Sequence, residues 1–283
     1  MPKKPSTISR KLAIAPFPKR PIDSHKGLCG TVGIIGGNHG MVGAALIAGR
    51  AALKLGSGVV HVGLLAEGAP AVDNLQAELM IHPAADILKL AKLTVVAIGN
   101  GLGRDLAAQK ILYDALKLET TLVLDADALN ILAVRPDLRA ILLERKATSV
   151  ITPHPAEASR LLGLSTEEVQ ADRPAAVLEL AKRLRCSVVL KGANSLIVTG
   201  DGALLLNKTG NPGMSSAGMG DALSGIIAAF IAQGMNADDA LILAVYLHGA
   251  AGDALAEQVA SIGMNATEVI EWSRWLLNQW LAK

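Results

Sequence analysis

The chain has 283 residues, 51% of them hydrophobic, and a formal net charge of +2, which is enough to bury a large core as one domain or two tightly joined lobes. Three Trp, two Tyr and two Phe are too few for the stacking platforms that hold single-stranded nucleic acid, and the near-neutral balance leaves no electrostatic footprint for a duplex. No run of eighteen apolar residues calls for a membrane, the best candidate at 222–232 being too short, and Cys29 and Cys186 lack metal-ligand spacing and point to small buried hydrophobes in a reducing, cytoplasmic compartment.

Residues 1–22 carry Lys3, Lys4, Arg10, Lys11, Lys19 and Arg20, with five prolines and no acid. That composition predicts an arm rather than a helix, laid on its own or a neighbouring subunit, ahead of a single domain over 23–283. It has no apolar stretch of the kind a secretory signal needs. The run T-V-G-I-I-G-G at 31–37 predicts a buried strand feeding a turn, followed by a helix over 44–55 and a second strand, V-V-H-V-G-L-L. A glycine-rich loop after a strand suits a dinucleotide fingerprint, but no dependable acid closes the second strand, which counts against a Rossmann cofactor site.

The next buried strand, 94–98, ends in G-N-G-L-G at 99–103, where α/β proteins place ligands, and a helix follows over 106–118. Strand 121–124 leads to D-A-D-A-L-N, with Asp125 read as a helix cap and Asp127 open between a cap and a cleft residue. Strand 149–152 ends in P-H-P-A-E, where flanking prolines stiffen the loop bearing His154 and suit it to a ligand contact. Helices over 155–162 and 174–184 precede S-V-V-L-K-G-A-N-S, which puts Lys191 at a strand end, and two short strands around Gly200–Gly202 predict a hairpin at the sheet edge.

Asn207 to Ile227 then joins a glycine-rich loop to an apolar helix with Asp221 between them. Gly210, Gly213, Gly218 and Gly220 free the backbone to turn N–H groups toward one ligand, and the helix start is a ready anion site. Asp221 is there either an N-cap or a general base over a phosphate in transfer. Terminal helices over 238–255 and 267–281 follow, the last with Trp272 and Trp275 on one face, a candidate subunit surface. Apolar strands alternating with helices predict an α/β fold with a mostly parallel sheet covered on both faces.

Five of these motifs stand in one family's order between Ser24 and Leu277. G-M-G-D at 218–221 resembles the G-x-G-D signature of the ribokinase-like superfamily, and the longer G-N-P-G-M-S-S-A-G-M-G-D-A-L-S-G-I-I-A-A resembles the ADP/ATP-dependent NAD(P)H-hydrate dehydratases. D-A-D-A-L-N matches that pattern letter for letter; Asn100, Ala156 and Ser195 depart from its Pro, Gly and Thr. Asn100 should leave the loop intact but looser.

The resemblance implies a ribokinase-like fold and dehydration of the S-epimer of NADHX or NADPHX, the hydrated nicotinamide cofactors. It implies ADP, or ATP, as co-substrate with Mg2+. Asp221 would be the base, with the amides of Gly218, Met219 and Gly220 as its anion hole. Ala44, Gly103, His154 and Asp221 would meet the substrate; Lys191, Gly192, Ala193, Asn194, Ser195 and Gly220 the nucleotide; and Glu157 would hold the metal through water. A homotetramer and a functional link to an NAD(P)HX epimerase are implied as well. A sugar or vitamin-precursor kinase of the same superfamily would share G-x-G-D and release a phosphorylated product, and a non-catalytic nucleotide sensor would not require the base.

Overall fold

The computed structural model describes residues 4–282. In chain order the elements are β1 (Ser6–Thr7), α1 (Arg10–Ile14), β2 (Thr31–Gly36), α2 (Val42–Lys54), β3 (Val59–Leu64), β4 (Met80–Pro83), α3 (Ala84–Ile87), β5 (Val95–Ile98), α4 (Leu106–Leu116), β6 (Thr121–Leu124), α5 (Asp127–Val134) and α6 (Pro136–Glu144). Then come β7 (Ser149–Ile151), α7 (Pro155–Leu162), α8 (Thr166–Ala171), α9 (Arg173–Leu184), β8 (Ser187–Leu190), β9 (Leu196–Val198) and β10 (Leu204–Leu206). A 3-10 turn at Pro212–Met214 leads into α10 (Met219–Ala232), α11 (Ala237–Gln258) and α12 (Ala266–Leu281).

The strands form one sheet in the order β1-β10-β9-β8-β7-β6-β5-β2-β3-β4. From β8 to β4 every pairing is parallel, so the carboxyl ends of β2, β5, β6, β7 and β8 lie along one rim. After β4 the chain returns to the other side of β2 to make β5, and that reversal opens a crevice at the rim, the place where open α/β sheets bind ligands. Side chains alternate between faces as the pleat requires. Val95 and Ala97 join a core with α2, α10 and α11, whereas Val96 and Ile98 join a second core with α4, α5 and α9.

α10 lies close on α2 because Gly225 has no side chain: a Cβ there would stand 2.1 Å from the Ala48 carbonyl oxygen. α11 is long and apolar enough to cross a bilayer, but 67% of its apolar window is buried inside the protein, so it is a core helix. Helix ends follow local rules. Asp105 caps α4 by accepting from Ala108 N at 2.8 Å, and Ser165 with Glu168 and Asn265 with Glu268 form capping boxes on α8 and α12.

Three expectations change. The N-terminal segment is not helix-free, because Ser9 caps the short α1, and the prolines that argued against helix lie outside Arg10–Ile14. Met1 to Lys3 lie outside the described residues. The β9–β10 hairpin is not the sheet edge, since β1 pairs with β10 in parallel, Ser6 opposite Leu205, and Ile8 and Ala13 are buried with it. Cys29 is only half-buried; Cys186 is buried, which pushes its thiol up to about 12 and leaves it inert.

Candidate active site

The loops after β5, β6, β7 and β8 and the start of α10 converge at the rim. Gly218, at φ +87°, turns the chain into α10, whose first N–H groups lack partners within the helix and point outward. Asp221 follows in the first turn. Gly210 and Gly213 do not join this array, contrary to the sequence expectation: Asp253 on α11 takes the Gly210 amide at 2.9 Å and Asn211 takes that of Gly213 at 2.9 Å. These two glycines shape the loop instead.

Asp221 is not an N-cap; Gly218 holds that position and makes no side-chain bond. Its Oδ1 accepts a hydrogen bond from Asn100 Nδ2 at 2.8 Å. Burial raises its pKa to about 6; the Asn100 bond pulls it down, the charge of Asp125 pushes it up, Lys191 pulls it down and Asp127 pushes it up. A carboxyl at about 6 is mostly ionised at neutral pH and still close enough to it to take and release a proton, the range where a general base works best.

Asp125 belongs to the site and is not a helix cap. Its Oδ1 accepts from Lys191 Nζ at 2.7 Å and its Oδ2 from Ser224 Oγ at 2.7 Å, and the residue is 1% exposed. Ala126 supports this sharp corner with φ +49°, a strained angle for a residue with a side chain. Asp127 turns away, accepting from Gly103 N at 2.9 Å and so fixing the end of the 99–103 loop. That loop is tied to β2's turn by its backbone: Gly37 N donates to the Asn100 carbonyl at 3.0 Å and Asn38 N to that of Gly101 at 2.7 Å.

Burial opposes the Lys191 charge, but Asp125, then Glu157, the Asp125 hydrogen bond and Asp221 outweigh it and raise its pKa. Glu157 stands 3.9 Å from Lys191 Nζ. His154 caps α7 with its ring, Nδ1 accepting from Ala156 N at 3.1 Å and Glu157 N at 3.3 Å, while Glu157 Oε2 accepts from His154 N at 2.8 Å. The structural role of His154 is therefore real, and its half-exposed ring also lines the cavity.

That cavity has a volume of about 700 Å³ and runs from Asp125 and Asp221 past Lys191, Gly192, Ala193 and Ser195 to Gly249 on α11. Asn194 is exposed, at φ +55°, and does not line it. Ala44 and Gly103 do not line it either. Gly103 closes the 99–103 loop beside Asn38, and Ala44 stands against that loop with its Cβ beside Gly101. One cavity residue has no motif to announce it. His248 is 9% exposed, with burial and then the Lys191 charge holding its pKa down to about 4, so its ring is neutral. Ser224, one turn beyond Asp221, is fully buried behind the cavity and meets the site through its bond to Asp125.

Among the described residues no three His, Cys, Asp or Glu side chains gather as a metal cage. Mg2+ does not need one, since it keeps several waters and takes one or two carboxylates beside phosphate oxygens. Glu157, 4% exposed and lining the cavity, fits an ion carried by nucleotide phosphates.

Comparison with known proteins agrees with this geometry. A family model described as NAD(P)H-hydrate dehydratase matches residues 32–274. The ADP-dependent (S)-NAD(P)H-hydrate dehydratase of Neisseria meningitidis is 40% identical over 93% of this chain and 90% of its own length. A bifunctional NAD(P)H-hydrate repair enzyme of Coxiella burnetii is 43% identical over 93% of this chain but 53% of its own, so the chain spans about half the length of the bifunctional relatives it matches. The ADP/ATP-dependent NAD(P)H-hydrate dehydratase of Bacillus subtilis, co-crystallised with ATP and Mg2+, superposes with a TM-score of 0.87 at 28% identity, covering 97% of this chain and 98% of that one. With a family model matched over most of its length and a dehydratase fold superposing over 97% of it, the chain belongs to the NAD(P)H-hydrate dehydratase family and has the ribokinase-like fold.

Proposed function

We propose that this chain repairs (S)-NADHX or (S)-NADPHX by nucleotide-dependent dehydration, with ADP as the phosphoryl donor. The observation that carries the reading is Asp221, half-buried in the first turn of α10 at the end of a cavity large enough for a nucleotide, with a carboxyl poised at about 6.

Hydroxide leaves poorly at neutral pH and phosphate leaves well. Asp221 takes the proton of the substrate's 6-hydroxyl as that oxygen attacks the terminal phosphorus of ADP, and AMP departs. The amides of Gly218, Met219 and Gly220 meet the charge that develops on the transferred group. The ring nitrogen's lone pair then expels phosphate, a proton leaves the adjacent ring carbon, and the double bond is restored. Lys191, held by Asp125, supplies fixed positive charge beside the phosphates, and Gly192, Ala193 and Ser195 bound the nucleotide's side of the cavity. Glu157 would hold Mg2+ through water, and the ion would supply positive charge against the phosphates.

Incubation with NADPHX, Mg2+ and either ADP or ATP, followed by NADPH absorbance, tests the reaction. Formation of AMP and phosphate in equal amounts with NADPH supports it; a stable phosphorylated product assigns the chain to the small-molecule kinases instead.

His154→Asn keeps a side-chain acceptor at the α7 cap. This variant should melt close to the parent yet bind NADPHX severalfold more weakly, with ADP affinity unchanged. Equal losses for both ligands, read by calorimetry, would remove His154 from substrate recognition.

We also propose a homotetramer. Supporting it is Trp275, 51% exposed on α12 and in edge contact with Trp272. Sedimentation at micromolar concentration should give a single species near four times 29.3 kDa; a monomer would end the idea.

A further inference from the structure

Asn100 is fully buried at the first turn after β5, in the crevice where the sheet reverses direction. Its backbone carbonyl is taken by Gly37 N. Its side chain is free of that duty and reaches across to α10, where Nδ2 donates to Asp221 Oδ1 at 2.8 Å. The other end of the same amide, Asn100 Oδ1, is buried and has no partner.

An amide with one end satisfied and the other orphaned has been oriented by something strong. Turned the other way, Oδ1 would face a carboxylate oxygen at hydrogen-bond distance, acceptor against acceptor. A charge-assisted bond to an ionised carboxylate is stronger than one to a neutral acceptor and tolerates an orphan at the far end. The orientation therefore fits an ionised Asp221.

We propose that Asn100 is the positioning residue for the base: its amide holds Asp221 ionised and fixed through Oδ1, leaving Oδ2 to take the proton of the substrate's hydroxyl. The proposal rests on Asp221 acting as that base. It gives Asn100 a role in chemistry that a proline at this position, lacking a side-chain donor, does not perform.

The other charges facing Asp221 come from three loops and helices. Asp125 after β6 and Asp127 at the start of α5 oppose its ionisation, and Lys191 after β8 favours it. His248 on α11 is neutral above about pH 4 and contributes no charge in the working range. Burial and two acids thus act against one ammonium and one amide. Removing the amide shifts the balance toward the protonated form.

The acid limb of kcat/KM for NADPHX should accordingly move to higher pH in Asn100→Ala, by about one pH unit, which is about tenfold in rate on the acid side and little at pH 9. Asn100→Asp keeps the side chain's shape and replaces the donor with another acid, so its limb should lie higher still. The KM for ADP should hold in both. A uniform loss at every pH, or a limb that stays in place while both variants melt like the parent, overturns the proposal.

Two readouts stand apart from turnover. The Asp221 carboxyl carbon, followed by NMR in protein labelled with 13C-aspartate, should titrate at higher pH in the variants than in the parent. In the unaltered protein, the Asn100 side-chain amide protons should shift with the Asp221 transition; a flat amide signal overturns the proposal without any variant having to fold. If the parent fails to dehydrate NADPHX while these signals move as expected, the function assignment fails and the Asn100–Asp221 coupling stands.

Discussion

Asp221→Asn should bind ADP as tightly as the parent and lose 10²–10⁴-fold in turnover, about 3 to 5 kcal/mol of barrier, the usual contribution of a positioned base. The same variant should be more stable than the parent above neutral pH. The Asp221 carboxyl is raised from 3.8 to about 6 in the folded protein, so the native state holds the proton more tightly than the unfolded chain does. That contribution is fully present below about pH 4 and is lost as pH rises through 6, amounting to roughly 3 kcal/mol at pH 8. Thermal melts at pH 4 and pH 8 should therefore show parent and variant together in acid and the variant higher in base. A variant with half the parental turnover would remove Asp221 from the mechanism.

Lys191→Met should be the most destabilising single change at the rim. It leaves Asp125, 1% exposed, without its cation at 2.7 Å, and breaking a buried pair from one side costs about 3 to 5 kcal/mol. Ser224 and the Ala126 amide still donate to Asp125, which keeps the loss within that range. Adding Asp125→Asn removes the stranded charge, so the double variant should recover much of the denaturant midpoint while nucleotide binding stays weak. Strictly additive losses would show that the two side chains do not depend on each other.

The sheet was legible where its strands are apolar on both faces. T-V-G-I-I-G, V-V-A-I and S-V-V-L announce themselves because a parallel sheet between two helix layers has no wet side. β4 did not, since M-I-H-P has little apolar content and Met80 is 46% exposed; it is a strand because β3 offers an edge to pair with. α6 and α8 also went unread. The first begins at a proline directly after Arg135, and the second is six residues long, held by its Ser165–Glu168 box rather than by periodicity.

The site divided differently. Lys191 and His154 could be found because strand ends followed by Gly or Pro mark the rim, Asp221 because a glycine-rich loop opens its helix, and Glu157 through the family resemblance. What couples them could not. Asn100 meets Asp221 across 121 positions, Asp125 meets Lys191 across 66 and Ser224 across 99, and no local pattern records such pairings. The reading of Asp125 as a cap failed for that reason: a carboxylate before a helix looks like a cap until a lysine arrives from two strands further on. His248 was hidden in α11, whose pattern is that of any core helix.

The position of β1 bears on how the chain is made. The partners of Ser6 and Thr7, Leu205 and Leu206, leave the ribosome about 200 residues after them, an interval of roughly 10 to 40 s at ordinary rates of synthesis. Through that interval the first segment has nowhere to dock, and the parallel strands behind it assemble without it. When β10 finally forms, its outer edge is open and sticky toward other nascent chains. The waiting N-terminal segment is tethered to the same molecule, and closing even so long a loop costs only slightly more than closing one half its length. It can therefore occupy that edge ahead of a neighbour, so a strand only two residues long covers an edge that would otherwise stay open.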